Sequence, residues 1–95
     1  MKMLSPNEID DIETETSNLI LAAELGRSPE AFKKAALKEI SASSTLEKQG
    51  IRRFVHHLFS AGWCAVHAKD RELARSILEK IDEIADLDEF FSKAA

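Results

Sequence analysis

Apolar residues return along this chain in steps of three and four, the repeat that lines one face of a helix. Ile9, Ile12, Thr16, Leu19, Ile20 and Ala23 keep one phase without interruption, which predicts a continuous amphipathic first helix ending near Leu25. Ser5-Pro6-Asn7-Glu8 supplies its start: a capping serine, a proline suited to the first turn and a glutamate placed to close a capping box, with Leu4 and Ile9 spaced to staple across it. Leu21 and Leu25 fall on the opposite side, so the C-terminal end of this helix is expected to be buried on more than one face. A second helix is predicted from Pro29 to about Ile40, with Phe32, Ala36, Leu37 and Ile40 inward and Lys33, Lys34 and Lys38 outward.

Ser41-Ala42-Ser43-Ser44 interrupts the pattern, and Ser44-Thr45-Leu46-Glu47 offers another capping box. A third helix from there to about Ala68 would carry the widest apolar surface of the chain. Gly50 and Gly62 would each cost it roughly 1 kcal/mol against alanine, so Gly62, set among bulky residues, marks a close helix contact. After a corner at Lys69-Asp70, Leu73, Ala74, Ile77, Leu78, Ile81, Ile84 and Ala85 give a fourth amphipathic helix, and Asp86-Leu87-Asp88-Glu89 restarts a short fifth one carrying Phe90 and Phe91. The sharpest corner is Gly26-Arg27-Ser28-Pro29, where Gly26 tolerates the left-handed backbone that ends a helix, Ser28 caps the next and Pro29 opens it.

The expected fold class is therefore all-α. Residues 1–95 form a single domain in this reading, a compact bundle of four main helices with a short fifth, and tight corners at Gly26-Pro29 and Lys69-Asp70. Composition agrees, since no Tyr and few other aromatics are present and 44% of the 95 residues are apolar, the size and content of one modest core. No stretch has the length and apolarity of a bilayer span, and neither an apolar leader nor a second cysteine to partner Cys64 is visible, so a cytoplasmic protein is expected. The net charge of −4 is uneven. An acidic first quarter is followed by a basic island made of Arg27, Lys33, Lys34, Lys38, Lys48, Arg52 and Arg53, which could meet phosphates, an acidic partner or the chain's own first helix.

Two partial resemblances follow from these residues. With Ala22, Gly26 and Phe32 at that motif's spacing, residues 21–40 resemble a helix-turn-helix, which would imply that Ala22 lets the helices approach and Phe32 anchors the second one. Arg27, Lys33, Lys34 and Lys38 would then meet DNA phosphates, beside Glu30 and Ala31 as further positions facing the duplex. Leu58, Gly62, Ala65, Ala74 and Leu78 resemble the packing positions of a single tetratricopeptide-like hairpin over residues 58–85, which would imply two close-packed helices. A shift of 41 residues also lays Phe32, Ala36, Leu37 and Ile40 over Leu73, Ile77, Leu78 and Ile81, a faint internal repeat.

Catalytic chemistry finds little footing. Cys64 and His67 are one helical turn apart, but His57 lies about 10 Å along the axis from Cys64 and no second Cys/His cluster completes a metal site. A mid-helix thiol in an apolar stretch lacks an oxyanion pocket, carboxylates follow solvent-facing positions, and glycine-rich phosphate loops are absent. The reading is a protein without enzymatic activity, cofactor, metal or small-molecule substrate. It binds another protein as an adaptor, chaperone-like subunit or regulator and pairs with itself as a homodimer, through Phe54, Leu58, Phe59, Trp63, Phe90 and Phe91. A helix-turn-helix DNA-binding regulator is the alternative. It is opposed by the unbroken first helix, by the acidic run Asp10 to Glu15, and by a reading helix without Arg, Asn or Gln to contact bases.

Overall fold

The computed structural model describes residues 3–84, which form four helices: α1 Pro6–Gly26, α2 Pro29–Lys48, α3 Phe54–His67 and α4 Arg71–Glu83. The expected fifth helix, with Phe90 and Phe91, lies outside the described residues. Consecutive helices pack on one another, and the α2/α3 pair forms the most extensive of these interfaces.

The start of α1 follows its sequence signals. Ser5 accepts from the Glu8 amide while the Glu8 carboxylate accepts from the Ser5 amide, the reciprocal capping box that satisfies two otherwise orphaned donors. Its inward phase also holds: Thr16 and Ala23 are buried, and Ile9, Ile12, Leu19 and Ile20 are half-buried. Leu21 and Leu25, expected to be covered at the C-terminal end, are instead 55% and 79% exposed. Among the described residues α1 packs chiefly on α2, and the face turned that way is the one it buries.

The corner between α1 and α2 is where the sequence places it, with one residue's difference in chemistry. Gly26 closes the helix, and the left-handed residue is Arg27, at φ 51°. Its amide donates to the Ala23 carbonyl at 2.7 Å, satisfying one of the last acceptors of α1. Ser28 then caps α2 through the Ala31 amide, with Pro29 at the first position.

The second helix does not stop at Ile40. It runs through the serine run to Lys48 because Ala42 and Ser43 are interface residues, buried against α3. The Ser43 hydroxyl donates to the Phe54 carbonyl at 2.9 Å, so it ties two helices together rather than competing with its own. The break falls at Gly50, at φ 71°, where the Gly50 amide donates to Glu47 and the Ile51 amide to Leu46. That pair of bonds is a Schellman motif, and glycine suits its left-handed position. The third helix is correspondingly shorter than the pattern suggests and starts at Phe54. At its other end Lys69, at φ 59°, repeats the same motif, with amides of Lys69 and Asp70 donating to Val66 and Ala65, and Asp70 caps α4 through Leu73.

The central core cluster is built mostly from small side chains, Ala35 and Ala36 of α2 and Ala61, Cys64 and Ala65 of α3, with Leu58 of α3 and Ile77 of α4 as its larger members. Alanines on facing positions bring the helix axes close, so few bulky residues can be enclosed between them. Leu37 and Leu78, expected inward, are accordingly 51% and 59% exposed, with Ala35 and Ile77 taking the buried positions beside them. Gly62 faces α4: a Cβ there would sit 3.5 Å from the Ile77 side chain, ordinary contact distance. None of the described helices is long and apolar enough to cross a membrane.

Candidate functional site

Two faces of α3 carry the features that set this molecule apart from a plain helical bundle. The first faces α1 and α2. His57, 5% exposed, lies between two carboxylates: Nδ1 is 2.7 Å from Oε1 of Glu39, and Nε2 is 2.9 Å from Oε1 of Glu13. Glu39, on α2, is 2% exposed, whereas Glu13, on α1, is half-buried. An imidazole nitrogen donates to a carboxylate only when it bears a proton, so both bonds together require the imidazolium form. The two carboxylates beside the ring raise the His57 pKa above its ordinary value, with the Glu39 bond the largest influence and burial opposing it.

A cleft of about 340 Å³ opens beside this triad, lined among others by Glu13, Glu39, Arg53, His56, His57 and Ser60. Arg53 Nε lies 3.9 Å from Glu13 Oε1 at the rim, leaving one cation inside and one outside to balance the two anions. The ring points its nitrogens in opposite directions, and among the described residues no group of three or more His, Cys, Asp or Glu is arranged to hold a metal ion. Cys64 is fully buried, and burial followed by the nearby Glu39 and Glu24 carboxylates pushes its thiol up to about 11. His67 bonds through Nδ1 to the Trp63 carbonyl at 2.9 Å.

Sequence reasoning missed the triad although a signal existed. Glu39 falls in phase with Phe32, Ala36, Ser43 and Leu46, a charged residue in the buried stripe of a helix. Ending the second helix at Ile40 hid that phase. His57 lies likewise between Phe54, Leu58 and Ala61 on the inner face of α3.

The second face points away from the core. Phe59, Trp63 and Val66, at i, i+4 and i+7, are 44%, 44% and 64% exposed. Trp63 is braced from one side: its ring lies 4.1 Å from that of His67 and 5.7 Å, edge on, from Phe32. Of the six residues assigned to a partner surface by sequence, Phe59 and Trp63 are exposed, Phe54 is half-buried, and Leu58 is in the core at 3% exposure. Phe90 and Phe91 lie outside the described residues.

The basic island is largely engaged within the chain. Lys38 pairs with Glu15 at 3.0 Å, Lys33 with Asp70 at 3.2 Å, and Arg53 approaches Glu13. Arg27 serves as the left-handed corner residue, and Lys34 is exposed. Of the residues that carry the helix-turn-helix resemblance, Phe32 is buried as expected, but Ala22 is exposed and its neighbour Ala23 makes the close approach. Comparison with protein-family models, with curated proteins and with solved structures finds no match to this chain.

Proposed function

We propose that this chain is a small non-enzymatic protein-interaction module that pairs with a second copy of itself through the outer face of α3, and that it serves as an adaptor, chaperone-like subunit or regulator. The observation that carries the reading is the stripe of Phe59, Trp63 and Val66, three large apolar side chains held at helical spacing on a solvent-facing surface. No Asp, Glu, Lys or Arg occurs between Phe54 and His67. A chain of net charge −4 repels its own copy over most of its surface, and this uncharged face is where two copies can meet without opposing like charges. A two-fold arrangement would place the stripe against itself, each Trp63 entering the partner's apolar surface as an anchor.

Duplex binding draws less support, because Lys33 and Lys38 already have carboxylate partners in the chain. The experiment is a molar-mass measurement by light scattering across protein concentration, on the wild type and on Trp63→Glu. The reading expects a dimer that dissociates in the variant while helical content by circular dichroism is kept. A wild type that stays monomeric into the hundred-micromolar range would refute it.

A further inference from the structure

We propose that Glu13, His57 and Glu39 form a proton-controlled clasp: with the proton on His57 the α1 helix is held down on α2 and α3, and when that proton leaves, α1 lifts and opens the core beneath it. The geometry sets which contact yields. A neutral imidazole keeps one N–H, and the shorter, more deeply buried bond to Glu39 is the one that retains it. Nε2 then turns a lone pair toward the Glu13 carboxylate 2.9 Å away, and an attractive contact becomes a repulsive one.

Glu39 and His57 have other bonds between their helices, since α2 and α3 share the most extensive interface and Ser43 bonds the Phe54 carbonyl. The first helix has much less. Its only fully buried residues are Thr16 and Ala23, supplemented by half-buried Leu19 and Ile20 against the core cluster. The charged and titratable groups around His57 are Glu13 from α1, Glu39 from α2, and Arg53 and His56 from the start of α3, while no residue of α4 lines the cleft. Arg53 remains beside Glu13 after the proton leaves, but it is 63% exposed and 3.9 Å away, a contact that water screens. Glu15 with Lys38 is similarly open to solvent.

Lifting α1 uncovers Leu19, Ile20 and the cluster that contains Cys64. The test uses that lone thiol as a reporter in the full chain. Alkylation of Cys64 by iodoacetamide is followed from pH 6 to pH 9 in the wild type and in Glu13→Gln, whose amide can accept from a protonated ring or donate to a neutral one. Dividing one rate by the other removes the pH dependence of the thiol itself. The clasp predicts that the wild-type to variant ratio rises with pH, by up to about tenfold per unit through the His57 titration. A ratio that stays constant would overturn it.

Amide hydrogen exchange on the wild type, corrected for the intrinsic pH dependence of exchange, gives an independent reading if the variant folds poorly. A protection in α1 that lies below that of α2 and α3 and falls as pH rises supports the clasp. Equal protection in α1, α2 and α3 at every pH overturns it, because α1 would then open only together with the whole fold.

Discussion

Nε2 of His57 lies 2.9 Å from the Glu13 carboxylate across 44 residues of sequence, and the opposite nitrogen of the same ring is bound to Glu39. One titratable group therefore joins three helices. A positive ring between two carboxylates carries local charge −1, relieved at the rim by Arg53. In a core cluster made mostly of alanine, this ionic contact ties α1 to α3, and through the same ring to α2.

Because the folded state raises the His57 pKa, this group's stabilisation is fully present below the unfolded-state value near 6.5 and is lost as pH rises through the folded-state value. Denaturant unfolding should thus give a free energy that declines from about pH 6.5 upward, with a slope of at most about 1.4 kcal/mol per pH unit for one proton. The decline ends once pH passes the folded-state value. Unfolding curves at half-unit steps from pH 5.5 to 9 check it, and His57 ring resonances place the folded-state value directly.

Truncating the buried Glu39 side chain should be more damaging than neutralising it. Glu39→Ala leaves the Nδ1 side of a buried imidazole without a partner and opens space beside Ala35, Ala36 and Ala42. Breaking a buried pair from one side typically costs about 3 kcal/mol or more, a large share of the stability of a domain this size. Glu39→Gln keeps the shape and an acceptor oxygen, so about 1 kcal/mol is expected. Equilibrium unfolding at pH 6, where His57 is charged, measures both. Equal losses in the two variants would mean that charge, not the filled hydrogen bond, dominates.

The helices themselves were legible because their signals are local. Ser5 with Glu8, Ser28 with Pro29, and Asp70 each act within one turn, and α1 keeps its phase because one side of it meets protein. What failed to show were positions decided by a neighbour distant in sequence. Ser43 reads as a helix breaker until Phe54 supplies an acceptor. Glu39 reads as solvated surface until His57 is placed beside it. Leu21, Leu25 and Leu37 read as core, yet alanine-lined interfaces leave too little depth to cover them. Of the apolar residues of α3, Phe59 and Trp63 are exposed while Leu58, next to Phe59 in sequence, belongs to the core, a division set by which side of α3 meets its neighbours.

Among the described residues three hold positive φ, Arg27, Gly50 and Lys69, and one of them is glycine. Each left-handed alanine or larger side chain costs roughly 1 kcal/mol, so exchanging residue types at two equivalent corners should give opposite signs. Gly50→Ala is expected to lower stability by about 1 kcal/mol and Lys69→Gly to raise it by somewhat less, since the added glycine also loosens the unfolded chain. For a domain of this length that corresponds to shifts of about 4 to 8 °C per kcal/mol in the melting temperature. Thermal melts of the two variants decide the matter. A destabilising Lys69→Gly would mean that the lysine side chain contributes more than its backbone strain costs.

Gly62 tests how tightly α4 is seated. A methyl group there would meet Ile77 at 3.5 Å, an ordinary contact, while helix propensity favours alanine over glycine by about 1 kcal/mol. Gly62→Ala should therefore be neutral or stabilising by up to that amount. Gly62→Leu has no room: its added carbons must displace Ile77, the only fully buried residue of α4, and with it the contact that fixes this helix to Leu58, Ala61 and Ala65. Overpacking of this kind costs about 1 to 3 kcal/mol. The loss should concentrate in α4, so backbone amide exchange ought to quicken from Arg71 to Glu83 in the leucine variant while α1 and α2 keep their protection. If exchange instead quickened in every helix alike, α4 would be integral to a single cooperative unit and not a helix attached through Ile77.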